Sequence, residues 1–193
     1  MFAINYYAAI TYYVLPIATI IIAIATAYNS FVLREESIRS REESERARYS
    51  SGVETLLKFE ERFNRQEMKQ VRQNAAEYFL KDNSSNNISN VDQVLDFFEG
   101  IAVLVHKSVL DKWLAWHYYS NWIFGYYSAA EQHINQVRKD SPTSWQDLCD
   151  LYHEMIEIEL EEHPGLKSKN IKYNKKEIED FLETESNLLT SSL

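Results

Sequence analysis

For its first 33 residues this chain carries no Asp, Glu, Lys, Arg or His, and from Arg34 onward it is crowded with charge. The change falls inside "AIATAYNSFVLREESIRSR", Ala23 to Arg41. Three structures account for such a stretch: a cleaved export signal, a core helix of a soluble fold, or a helix that crosses a bilayer. Ala25-Thr26-Ala27 fits a signal cleavage site, but no Lys or Arg precedes the apolar run, so the positive leader of a signal peptide is missing. A soluble core helix keeps a polar face, and Tyr12 to Leu33 has none worth the name: its polar residues are Thr19, Thr26, Asn29, Ser30 and tyrosines. As a helix this run would extend about 33 Å, against a hydrocarbon core of about 30 Å. Tyr6, Tyr7, Tyr12 and Tyr13 sit at one end and Tyr28 near the other, where interfacial aromatics belong. Pro16 lies near the start, where its missing N–H costs least. The stretch reads as one transmembrane helix that meets the lipid bilayer through residues 12–33.

Orientation follows from the basic residues alone. Arg34, Arg39, Arg41, Arg46 and Arg48 follow the span closely and none precedes it. The expectation is a single-pass protein of the inner (cytoplasmic) membrane, N-terminus outside and the C-terminal domain in the cytoplasm. Within the span Thr19, Ala23 and Ala27 recur every four residues, a small-residue row that would let two helices approach closely. A span that merely contains common small residues is the plain alternative.

Between Arg34 and Ser50 lie five Arg and five Glu. Taking these from the totals of 20 basic and 29 acidic residues leaves 15 and 24, so the whole net charge of −9 lies beyond Ser50. Such a surface repels phosphate backbones, and nucleic acid is not expected as a partner. Cys149 is the only cysteine, which excludes an internal disulfide and suits a reducing compartment. Four Gly and three Pro are too few for a turn-rich β architecture.

The pattern predicts an all-α chain with a cytosolic bundle of about four to five helices: an N-terminal tail and transmembrane helix over 1–33, a charged helical stalk over 34–50, a cytosolic helical domain over 51–162, and a C-terminal extension with a short amphipathic helix over 163–193. The order of Glu35 with Arg39 and of Glu42 with Arg46 favours i,i+4 pairs on the stalk. Val53, Leu56, Leu57, Glu60 and Phe63 mark one stripe, interrupted at Asn64; Met68, Val71, Ala75 and Phe79 mark the next. "KDNSSNNISN", Lys81 to Asn90, reads as a loop. A largely buried helix follows, with Val94, Phe98, Ile101 and Val105 on one side and Glu99 in its middle. Asp111 caps a long helix to about Arg138 that opens with eight aromatics in fifteen positions, Trp113 to Tyr127. Spread around the circumference, they cannot all face one core. Ser144 is the expected N-cap of a helix through Glu162 that buries Trp145, Leu148, Tyr152 and Met155. Asn174 with Glu177 makes a capping box for the last helix, whose stripe is Ile178, Phe181, Leu182, Glu185 and Leu189.

"VLDFFEGIAVLVHKSVLDKWLAWHYYSNWIFGYY" followed by "INQVRKD" resembles a bacterial family known only as a domain of unknown function. Members have an N-terminal span, a charged helical stretch, a Phe-Phe-Glu signature, an apolar run, a Leu-Asp cap and an aromatic-rich helix with a central Trp and an Arg near its end. The matching positions here are Phe97, Phe98, Glu99, Leu110, Asp111, Trp122 and Arg138, and the likeness covers roughly residues 1–162. Ser108 departs from it, standing where a Gly commonly precedes the cap. The resemblance implies an anchored helical domain, supplies no reaction, and leads to the expectation of a structural ion pair between Glu99 and Arg138.

Chemistry is sparse. Cys149, His153 and Glu157 share one helix face, yet no orienting group or fourth ligand completes a nucleophilic or metal site. His153-Glu154-Met155-Ile156-Glu157 misses the metalloprotease pattern because its last position is Glu. No catalytic residue, cofactor or metal is assigned. The function expected is a membrane-anchored protein-interaction or scaffold module without catalytic activity, engaging a protein partner or forming a homo-oligomer. Its candidate contact surface is Trp113, Trp116, Tyr119 and Trp122 together with Ile178, Phe181 and Leu182. The rival class is an effector that oligomerises and perturbs the bilayer.

Overall fold

In the computed structural model, residues 15–81, 88–165 and 171–189 are described, and among them all regular structure is helical. Six helices follow in order: α1 (Leu15–Asn64), α2 (Gln66–Leu80), α3 (Ile88–His106), α4 (Lys112–Asp140), α5 (Gln146–Glu162) and α6 (Lys175–Ser186). The chain divides into two compact units, Met1–Arg48 and Tyr49–Leu193, and α1 contributes to both.

The first unit holds the apolar part of α1. Pro16 is its second residue, and the helix is long and apolar enough to cross a membrane. None of that apolar stretch is buried: Ile17, Ile20, Ile21, Ile22, Ile24, Phe31 and Leu33 are all more than half exposed. Two of its hydroxyls are satisfied inside the helix, Thr26 Oγ1 donating to the Ile22 carbonyl at 2.8 Å and Ser30 Oγ to the Thr26 carbonyl at 2.8 Å. A helix that closes its own polar groups in this way suits a medium without water. The tyrosines expected at its outer end, Tyr6 to Tyr13, lie outside the described residues. Neither expected stalk pair forms. Arg39 turns instead to Glu43, at 3.3 Å, an exposed pair worth at most about 0.5 kcal/mol.

In the second unit, α1 continues to Asn64 and ends there, as its interrupted stripe predicts; Arg65 leaves the helical region and starts α2. Leu56 and Phe63 are buried and Phe59 packs beside them, whereas Leu57 is 54 % exposed, against expectation, because it lies one position off that stripe. The Phe63 ring is the centre of an aromatic cluster, with ring centroids at 5.1 Å from Phe97, 5.8 Å from Phe98, 5.8 Å from Tyr119 and 5.1 Å from Trp122. α3 buries Val91, Val94, Leu95, Phe97, Phe98, Ile101, Ala102 and Val105, the broad apolar face that its sequence predicts. It begins at Ile88, inside the stretch expected as a loop; residues 82–87 of that stretch lie outside the described set.

α4 resolves its surplus of aromatics by having several neighbours. It packs on α3, α5 and α6, so that Trp116, Tyr119, Phe124 and Tyr126 are buried on different sides, while Trp113 and Tyr118 remain exposed. Its N-terminus is capped as expected, Asp111 accepting from the Leu114 N–H at 3.0 Å. The turn into it needs a left-handed residue, and Ser108 supplies it at φ 55°. A Gly here, as the resemblance implies, would reach that region without strain, having no Cβ.

The same turn approaches α1. A Cβ built on Gly52 would stand 2.9 Å from the Val109 carbonyl oxygen, which is backbone and cannot rotate aside. In an unobstructed helix Gly→Ala gains about 1 kcal/mol. Here Gly52→Ala is expected to lose about 1–3 kcal/mol instead, through overpacking, read as a lower midpoint in denaturant unfolding; a raised midpoint would contradict the close approach.

Candidate functional site

The amphipathic face of α2 carries one residue that does not belong to an apolar stripe. Arg72 falls four positions after Met68 and four before Ala76, and it is only 2 % exposed. A buried guanidinium has to find acceptors for its donors. The acceptor is Glu185 on α6, 3 % exposed and 113 residues away in sequence. Arg72 Nε donates to Oε2 at 2.7 Å and Nη2 to Oε1 at 2.6 Å, a bidentate fork. Nη1 reaches the Phe63 carbonyl at 3.5 Å, and the guanidinium lies over the Phe63 ring, 3.8 Å from its centroid.

α4 completes the cage around the carboxylate. Trp122 Nε1 donates to Glu185 Oε1 at 3.1 Å, and the Tyr126 hydroxyl donates to Oε2 at 2.6 Å. Four donors from two helices thus converge on one carboxylate, each oxygen taking two. Burial first, and then the adjacent Glu185 charge, push the Tyr126 phenol well above its ordinary range, so it remains a donor. Gly125 admits the rest of α6: a Cβ there would stand 2.6 Å from the Phe181 ring, which meets the Tyr126 ring edge-on at 5.1 Å. A cleft of about 580 Å³ opens beside the pair, lined among others by Asn121, Trp122, Tyr173 and Asp180.

A second set of polar contacts ties α3 to the start of α5. Glu99 accepts from the Leu148 N–H at 2.6 Å and the Asp147 N–H at 3.4 Å, so a carboxylate from another helix caps α5. Ser144, the expected cap, is displaced because Trp145 takes that position in a left-handed conformation, φ 49°, with no side-chain cap of its own. Trp145 is held by Asp96, 2.8 Å from its indole nitrogen, and His133 by Asp92 at 2.7 Å. The expected Glu99–Arg138 ion pair is not made. Glu99 is spent on backbone N–H groups, and Arg138 donates to Gln146 and, at 2.9 Å, to the Cys149 sulfur. Both residues reach the first turn of α5, and they serve different atoms there.

The residues proposed as a contact surface fall largely into the interior. Tyr119 and Trp116 are core, Trp122 is half-buried against Glu185, and Phe181 and Leu182 are buried where α6 docks, with Ile178 beside them. Trp113 alone of that set is open, 47 % exposed and stacked on His117 with centroids at 5.1 Å. The capping box that opens α6 is present in full, Asn174 and Glu177 each accepting from the other's N–H. Thr19, Ala23 and Ala27 lie on the exposed apolar part of α1. His153 bonds the Cys149 carbonyl at 2.7 Å rather than its thiol, and among the described residues no group of three His, Cys, Asp or Glu could hold a metal ion.

A family model matches residues 14–155, most of the chain. The chain belongs to DUF4760, a domain of unknown function. No curated protein matches it, and no solved structure does. Within the DUF4760 segment lie Arg72, Trp122, Gly125 and Tyr126; Glu185 and the whole of α6 lie beyond it. The buried pair was findable in principle: Arg72 and Glu185 each interrupt an apolar stripe with opposite charge.

Burial raises the Glu99 carboxyl above its ordinary range, partly opposed by the Leu148 and Asp147 N–H groups. Between the ordinary carboxylate range and that raised value the folded state holds more protons than the unfolded one, so this group's contribution to stability falls as pH rises through the window. Glu99→Gln keeps an acceptor and removes the titration. Denaturant midpoints from acid to neutral pH should shift in favour of the variant as pH rises; a constant difference between the two proteins would contradict the assignment.

Proposed function

We propose that this protein is a single-pass membrane protein whose helical bundle engages protein rather than transforming a substrate. The observation that carries the reading is that no residue in the apolar part of α1, from Ile17 to Leu33, is buried. That much contiguous apolar surface requires a covering medium, and its length fits a bilayer. The five Arg that follow support a cytoplasmic bundle and an outward N-terminus at the inner membrane. Anchoring confines the bundle to two dimensions, which raises the effective concentration of whatever it meets there. The non-catalytic part of the reading rests on how its chemistry-bearing residues are used: Glu99, Asp96, Asp92 and Arg138 are engaged in holding helices together.

The test is fractionation with protease accessibility. The intact chain should stay in the membrane pellet through alkaline carbonate, and protease added outside spheroplasts should leave the bundle whole. Recovery in the soluble fraction, or digestion of the bundle from outside, would overturn the reading.

A further inference from the structure

The cleft beside the buried ion pair holds charge that the pair does not use. At about 580 Å³ it lies within the range of roughly 300–1,000 Å³ typical of small-molecule sites. One wall is Asn121 and Trp122 of α4. The other comes from α6 and its flanks, where Tyr173, Glu177 and Asp180 follow at intervals of four and three residues, with Leu188 beyond. Arg72 and Glu185 also line the cleft, and their fork makes them neutral together. Glu177 and Asp180 are not neutralised. Among the described residues neither makes an ion pair, and Lys175 is turned to Glu179 at 3.8 Å.

Two of these side chains are already fixed. Glu177 Oε2 accepts from the Asn174 N–H at 2.7 Å, and Tyr173 Oη donates to Asn121 Oδ1 at 2.6 Å, tying one wall to the other. A ligand there meets groups whose ordering adds little further cost. Burial first, and then the charges of Glu177 and Glu159, raise the Tyr173 phenol above its ordinary range, in keeping with a negative potential at that wall.

From these walls we propose that the cleft binds an alkylammonium ion, its charge set against Asp180 and Glu177 and its carbon chain against Trp122, Tyr173 and Leu188. Two carboxylates without a cation repel anions and gain nothing from a neutral ligand. Aromatic rings attract a cation through their quadrupoles and cover an aliphatic chain by burial. An ion bound across α4 and α6 also stabilises the docked position of α6, since it binds only where both walls are in place. The site stands whether or not the bundle engages a protein.

Isothermal titration of the full-length protein in nonionic micelles tests it, with n-pentylammonium chloride as the probe. Pentan-1-ol keeps the chain without the charge, and pentanoate reverses the charge. The ammonium should bind at least about tenfold more tightly than either. Asp180 is exposed, so Asp180→Asn leaves the core untouched, and it should weaken the ammonium about threefold or more. Tyr173→Leu should weaken it about as much, whereas Tyr173→Phe, which keeps the ring, should hold most of the affinity. Equal binding of ammonium and alcohol, or an ammonium affinity that neither Asp180→Asn nor Tyr173→Leu moves, would overturn the proposal. Nα-acetyl-lysine amide carries the same head on a peptide unit. Tighter binding of that probe than of n-pentylammonium assigns the site to a lysine side chain, and weaker binding assigns it to a free amine; failure of both probes removes the site. Fractionation reads membrane residence separately, so either idea can fail while the other stands.

Discussion

A guanidinium removed from water governs how the bundle closes. Arg72 sits where helical periodicity demands an apolar residue, and its burial is tolerable only because its charge and donors are met within hydrogen-bond distance. Meeting them recruits four helices: α2 supplies the cation, α1 the Phe63 ring and carbonyl, α4 the Trp122 and Tyr126 donors, and α6 the carboxylate. An apolar residue at position 72 would leave the placement of α6 to shape alone. The ion pair adds direction, since only one rotation and register of α6 delivers Glu185 to the cage while seating Phe181 on Gly125.

The Glu99 cap acts on the same principle at the other side of the core. An α-helix leaves its first N–H groups without partners, and α5 begins after a left-handed tryptophan that cannot supply a cap. The Phe-Phe-Glu stretch meets this need: Phe97 and Phe98 bury on α1 and α4 partners, and Glu99, two positions on from Phe97, turns to α5. Asp92 and Asp96 on the same helix hold His133 and Trp145. Three acidic residues of α3, Asp92, Asp96 and Glu99, are therefore fasteners between helices.

Much of this was legible in the residues. The apolar run, the helix end at Asn64, the Asp111 cap and the Asn174–Glu177 box all rest on local rules that relate neighbours a few positions apart. What escaped is non-local. Periodicity identifies a buried face and is silent on which face it meets, so it leaves Glu99 as open to Arg138 as to the backbone of α5, and Glu185 in its stripe without a named partner. The aromatics of α4 show the same limit: their number implied several neighbours, and only the packing assigned Tyr119 to the core and Trp113 to solvent. Left-handed Trp145 broke a capping rule that holds when the preceding residue is free to cap.

The most direct test of this account is a double-mutant cycle on the buried pair in the full-length protein in micelles, unfolded by denaturant. Arg72→Met and Glu185→Met should each cost about 3–5 kcal/mol, because each strands the other's charge. The double variant should be far less destabilised than their sum, with a coupling of at least about 2 kcal/mol. Single losses under about 1 kcal/mol that simply add would show that Arg72 and Glu185 do not hold α6 to the bundle.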